Sequence, residues 1–244
     1  MGIREEDVDC CGSVLNITGA ALTRRVQEEH LKKDPNRIPL LFMRDVIHGF
    51  RTIFPIPLAL GCSWNPALMR QSARVAAREA AAAGVHVTFS PMADLVRDAR
   101  WGRVMEATGE DPWLNALYAR AMVEGYQGAD LRENDTLAAC VKHLAAYGAA
   151  EAGRDYHSVE LGSYSLREFY LPAYKAAIDA GAAMGMAAFH ALNGTPCSAN
   201  APLLRGTVRE EWGFDGVLIS DWGAVHELIP HGIAENGSEA ARLA

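Results

Sequence analysis

Short apolar runs of strand type alternate with helical stretches along almost the whole chain, and no other feature constrains the fold as much. The strand candidates are "GSVLNI" (12–17), "IPLLFMRD" (38–45), "PLALGCS" (57–63), "VHVTFSP" (85–91), "ACVKHLAAY" (139–147), "AMGMAAFH" (183–190) and "GVLISD" (216–221). Near-continuous apolar strands separated by helices imply a parallel sheet buried beneath helices. The helices carry boundary signals of their own. Asn65 and Pro66 open one that runs to Ala83 and closes at Gly84, and Asp111 with Pro112 opens a second. A third spans Ser165 to Ala180 ahead of Gly181, and a fourth begins near Ala201 and ends before Gly213.

A parallel sheet of this kind is either doubly wound or closed into a barrel. The chain has no GxGxxG turn and no GxxxxGK[ST] loop, so a nucleotide-binding doubly wound sheet loses ground. The unusual polar residues follow the strands, which is where a (β/α)8 barrel keeps its site. The expected fold is therefore α/β: a (β/α)8 TIM-type barrel, incomplete, with seven strands recognisable and the eighth missing at the C-terminus. Residues 1–244 are expected to form this one truncated domain, with no linker and no second domain.

Totals exclude several partners. A net charge of -7 argues against nucleic acid, whose phosphates call for a Lys/Arg surplus. No apolar run approaches the ~20 residues of a membrane span. The opening "MGIREEDVDC" puts acidic residues where a signal peptide carries its apolar core. Five cysteines (Cys10, Cys11, Cys62, Cys140, Cys197) without a CxxC pair support neither a disulfide framework nor a structural zinc site. The neighbouring Cys10 and Cys11 are read as incidental. With no HExxH cluster and no GxSxG elbow, neither a metal site nor a serine hydrolase is expected, and no cofactor is implied.

The polar residues at the strand ends are Asp45, Lys142, His143, His190 and Asp221. The loop after "VHVTFSP" adds Asp94, Arg97, Asp98, Arg100, Arg103 and Glu106, and the loop after "ACVKHLAAY" adds Glu151, Arg154, Asp155 and His157. Singly, each has a structural explanation: Asp45 as a turn cap, His143 as a satisfied core histidine, the arginines as a solvated loop. Jointly they meet on one rim if the fold is a barrel. Burying that many charges is unfavourable unless a polar ligand compensates. A sugar fits: its hydroxyls take charge-assisted bonds from Asp, Lys, His and Arg, and its apolar face packs on a ring such as Trp222 or Trp101. Carboxylates act on sugars by cleaving glycosidic bonds. A carboxylate nucleophile has to be ionised, which positive neighbours such as Lys142 or Arg103 favour.

These stretches resemble glycoside hydrolase family 3, and most closely its bacterial periplasmic β-glucosidase branch. The resemblance rests on "RDVIHGFRTIFPIPLALGCSW", "FSPMADLVRDARWGRVMEATGEDPWL", "VKHLAAYGAAEAGRDYHSVEL", "LREFYLPAYKAAIDAG", "NGTPCSAN" and "EEWGFDGVLISDWGAV", in that order. It implies that Asp221 is the nucleophile, forming a glycosyl-enzyme intermediate. By the same resemblance Asp45 binds distal hydroxyls, Arg103, Lys142 and His143 are further ligands at that subsite, and Trp222 flanks the leaving group. Tyr147 and Arg154 are supporting residues. The implied substrate is a β-glucoside or oligosaccharide, and the implied compartment is periplasmic or secreted.

The sequence departs from the family pattern in two ways. Where many relatives read "SAYN", this chain has "AAFHALNG", with Phe189 in place of a tyrosine. The family's general acid/base is usually a glutamate on a following domain, so a partner domain outside this chain is expected to supply it. Two alternatives stay open. One is a β-N-acetylglucosaminidase using Asp155 and His157 as its acid/base dyad. The other is a non-catalytic, truncated sugar-binding fragment.

Overall fold

The computed structural model describes residues 11–244. Cys10 and the acidic N-terminal segment lie outside the described residues. In chain order the elements are β1 (Ser13–Leu15), α1 (Ala20–Lys33), β2 (Leu41–Arg44), α2 (Pro57–Gly61), α3 (Pro66–Ala82), β3 (Val87–Thr88), α4 (Pro112–Gln127), β4 (Ala138–Leu144), α5 (Ser163–Ser165), α6 (Leu171–Asp179), β5 (Met184–Ala187), β6 (Ala191–Leu192), β7 (Thr195–Pro196), β8 (Val217–Ser220), α7 (Ala224–Glu227) and α8 (Gly237–Leu243). β6 and β7 form a small antiparallel hairpin, turned by Asn193 and Gly194, both at positive φ.

Six strands, not seven, build the main sheet, in the order β1-β2-β3-β4-β5-β8, and every neighbouring pair is parallel. The sheet is an open half-barrel. The strand expected at 57–63 is helix α2. Pro57 takes the first helical position, and Leu58, Ala59 and Leu60 are stronger helix formers than strand formers. The Leu60 amide donates to the Ile56 carbonyl at 3.0 Å. Gly61 lies so close to the Thr108 carbonyl that a Cβ would collide with it, and this contact seats the helix against the loop before α4.

The helix ends follow their sequence signals. Asn65 Oδ1 accepts from the Ala67 and Leu68 amides at 3.1 and 3.4 Å, and Asp111 Oδ1 from the Leu114 amide at 2.7 Å. In α3, Met69, Ala73, Ala76, Ala77 and Ala80 form one buried stripe at helical spacing. Small residues bring α3 and α4 together: a Cβ on Gly125 would lie 2.7 Å from that of Ala73. Ahead of α6, Leu166–Tyr170 is π-helical and ends two residues before Pro172, whose missing N–H interrupts the regular ladder.

Apolar side chains divide between two faces. The larger core lies between the sheet and its helices. Val87, Phe89, Cys140, Met184 and Met186 form a second cluster with Leu15, Met43 and Ile219 packed on it. Parallel pairing puts the C-terminal ends of all six strands on one edge. Ala187 pairs with Ser220, so Asp221 emerges directly beyond the last paired residue of β8. β4 shows a register irregularity between Val141 and Leu144, the stretch that carries Lys142 and His143.

Candidate active site

A cavity of about 1120 Å³ opens at that edge. Leu15, Met43, Phe89, Met186 and Ile219 give it apolar lining, while Asp45, Arg103, Lys142, His143, Asp155 and Asp221 add polar groups. All six residues singled out from the sequence as catalytic or substrate-binding line it, Trp222 included.

Asp45 follows β2, and its Oδ1 accepts from Lys142 Nζ at 2.8 Å. The Lys142 side chain is 5% exposed and that of Asp45 51%, so a buried ammonium meets a carboxylate that still faces the cavity. Arg103 sits in the loop after β3, gripped by both oxygens of Glu106 at 2.7 and 2.9 Å and placed over the Tyr147 ring. Burial works against the Arg103 charge, but Glu106, Asp94 and Asp221 outweigh it and raise the guanidinium above its ordinary range.

His143 is held from behind by Asp94, a fully buried carboxylate. Asp94 Oδ2 accepts from the His143 backbone amide at 3.0 Å and from Nδ1 at 2.8 Å. Its Oδ1 accepts from the Tyr147 amide at 3.0 Å and the Tyr174 hydroxyl at 2.5 Å. Burial would raise this carboxyl, yet the bonds from His143 and Tyr174 outweigh it and hold the group below its usual range. Burial pushes the His143 imidazole down, opposed by Asp94, and so favours the neutral ring. A neutral ring that gives its Nδ1 proton to Asp94 keeps a lone pair on Nε2.

That lone pair faces the nucleophile candidate. Asp221 Oδ2 lies 3.3 Å from His143 Nε2, is buried, and has no hydrogen-bond donor among the described residues. Two acceptors stand side by side there, which explains why no bond closes between them. Asp221 Oδ1 is engaged, accepting from the Trp222 amide at 2.7 Å. One oxygen is therefore fixed and the other is left without a donor beside a cavity. Trp222 itself is 62% exposed.

Other sequence candidates fall elsewhere. Asp155 Oδ1 accepts from Tyr147 Oη at 2.5 Å and from Trp101 Nε1 at 3.1 Å, which ties it into the wall. His157 Nδ1 lies 3.5 Å from Glu151 and makes no hydrogen bond among the described residues, to Asp155 or any other. His190 is fully buried and stacked on Tyr147, outside the cavity lining. Arg154 is exposed and away from the cavity, and Arg100 pairs with Asp98 at the surface. Asp94 carries a positioning role that the sequence conceals; the one available signal is an acidic residue inside the apolar run "FSPMADLV". Among the described residues no group of three or more His, Cys, Asp or Glu is arranged to hold a metal ion, and no helix is long and apolar enough to cross a membrane.

Residues 9–244 match the glycosyl hydrolase family 3 N terminal domain. The chain belongs to glycosyl hydrolase family 3. This family 3 domain is 42% identical over 233 residues to the periplasmic beta-glucosidase of Salmonella typhimurium, covering 96% of the chain and 30% of that protein. It is 39% identical over 201 residues to a beta-xylosidase of Formosa agariphila, covering 80% of the chain and 28% of the relative. A beta-glucosidase from Listeria innocua, solved in complex with glucose, superposes with a TM-score of 0.96 at 53% identity over 99% of the chain and 34% of the other. A D270A variant of the Listeria enzyme was solved with laminaribiose. The chain thus spans about a third of the length of these proteins.

Proposed function

We propose that this chain is the nucleophile-bearing domain of a retaining, exo-acting β-glucosidase that removes terminal β-D-glucosyl residues. The observation that carries the reading is the state of Asp221: one oxygen anchored by the Trp222 amide, the other buried, without a donor, beside a polar cavity. In this reading Asp45, Lys142, Arg103 and His143 bind the hydroxyls of the non-reducing sugar. The free Asp221 oxygen attacks the anomeric carbon and the glycosidic C–O bond breaks. An acid protonates the departing oxygen, and water then releases the sugar from its ester with Asp221, returning the configuration to β. The acid/base carboxyl is assigned to a segment outside this chain. Asp155 is committed to Tyr147 and Trp101, and relatives are about three times as long.

The test uses the protein that carries this chain. Asp221→Asn is expected to lower turnover of an aryl β-glucoside by several orders of magnitude and to abolish covalent labelling by a 2-fluoroglucoside, read by mass spectrometry. Labelling that persists in Asp221→Asn would sink the assignment. Faster turnover of an aryl N-acetylglucosaminide than of the glucoside would overturn the choice of sugar.

A further inference from the structure

Asp155 is exposed and lines the cavity, where water can solvate a carboxylate freely. It is nevertheless fixed. Its Oδ1 accepts from Trp101 Nε1 at 3.1 Å and from Tyr147 Oη at 2.5 Å. Both donors belong to buried rings, 2% and 0% exposed, and a buried N–H or O–H needs a partner. That alone would make Asp155 a residue of the wall. What the two rings touch next gives it more.

Both lead to Arg103. Trp101 precedes Arg103 by two residues in the loop after β3, so the bond from its indole ties that loop to the loop after β4, which carries Asp155. Tyr147 lies beneath the guanidinium, whose carbon is 5.8 Å from the ring centroid. A phenol that donates to a carboxylate has a more electron-rich ring, and such a ring attracts a cation more strongly. Burial and the Asp155 bond raise the Tyr147 hydroxyl well above its ordinary range, so it stays a protonated donor. The same oxygen accepts from the Tyr156 amide at 3.1 Å, which fixes the outer end of the ring. Glu106 takes Nε and Nη2 of Arg103. The guanidinium is therefore set by one carboxylate in direct contact and by a second one step removed. His143 also touches the Tyr147 ring, but its two bonds to Asp94 fix it independently.

We propose that Asp155 is a positioning residue for Arg103: through Trp101 and Tyr147 it holds the guanidinium where a substrate hydroxyl meets it, and it takes no part in proton transfer. This rests on the β-glucosidase reading, in which Arg103 binds the non-reducing sugar. The two roles open to a carboxylate on this wall, acid and support, then separate by experiment.

The experiment measures kcat/KM in the full-length protein on two β-glucosides, nitrophenyl with a good leaving group and methyl with a poor one. Asp155→Ala is expected to lower kcat/KM about 5- to 20-fold on both. Asp155→Asn keeps an oxygen with two lone pairs for the two donors and should lose less than about 3-fold. Tyr147→Phe cuts one route and should fall between them. In an Arg103→Gln background, Asp155→Ala should lower kcat/KM by less than about 2-fold more, because the group it positions is gone. The full loss repeated in that background overturns the proposal, since Asp155 then acts on something other than Arg103. So does an Asp155→Asn loss that is large on the methyl glucoside and small on the nitrophenyl glucoside, which marks a general acid. Unchanged kcat/KM in Asp155→Ala overturns it as well. In each of these cases the parent hydrolyses glucosides and the glucosidase reading stands. A parent that turns over neither glucoside overturns that reading, and the positioning role with it. If Asp155→Ala does not fold, Tyr147→Phe in the two backgrounds carries the same comparison.

Discussion

Stability in mild acid should depend on His190. Its ring is fully buried, stacked on Tyr147 at 5.0 Å and 3.8 Å from Cys197 Sγ, and Nδ1 has no hydrogen-bond partner among the described residues. Burial pushes the imidazole from 6.5 down to about 4, the nearby Asp94 charge opposing and His143 adding to the fall. The unfolded chain therefore binds a proton between about pH 6.5 and 4 that the folded chain excludes, and stability drops as pH falls through that window. From those two values the loss from this group is about 2 kcal/mol at pH 5 and about 3 kcal/mol at pH 4. His190→Phe removes the titrating nitrogens and keeps a flat ring against Tyr147. At pH 7 it should change stability by less than about 1.5 kcal/mol, since it replaces a neutral ring with one unsatisfied atom. At pH 5 the variant should have gained about 2 kcal/mol relative to the parent. His143 also sits below its ordinary range and destabilises in acid with the same sign, but it is present in both proteins and cancels in the comparison. Urea unfolding at pH 7, 6 and 5 gives the two curves. Parallel curves would refute the reasoning.

Two further outcomes follow from the geometry. Tyr174→Phe removes one of the four donors to the buried Asp94, and should lower stability by about 2 kcal/mol at pH 7 in urea unfolding; a loss below about 0.5 kcal/mol would show that the bond is not needed. Lys142→Met removes a buried cation while Asp45 remains half exposed to water, so glucose affinity should fall about 10-fold or more with little change in melting temperature; unchanged affinity would remove Lys142 from the ligand set.

The strand ends were readable because parallel strands under helices leave unbroken apolar runs that stop where polar residues begin. Asp45 and Asp221 sit at such stops, Lys142 and His143 interrupt the run of β4 just before its end, and all four reach the cavity. Helix starts were readable for a local reason: Asn65–Pro66 and Asp111–Pro112 cap with their own side chains. "PLALGCS" misleads because a short apolar run has no period long enough to separate a helical turn from a buried strand, and the Gly61–Thr108 approach that decides the matter is non-local. Asp94 was visible as a residue and hidden as a role, since its donors are 49 to 80 positions away. The Asp155–His157 pairing looked plausible by spacing alone, but the loop turns the two side chains toward different neighbours.

Because Asp94 claims the proton on His143 Nδ1, the ring atom turned toward Asp221 and the cavity can only receive one. A guest group seated at that spot must bring its own hydrogen. A hydroxyl can do so; a fluorine or a methyl ether of similar shape cannot, and leaves a buried lone pair facing another. In the β-glucosidase reading proposed above, a carboxylate with no access to solvent would thereby set the direction of a proton at the sugar.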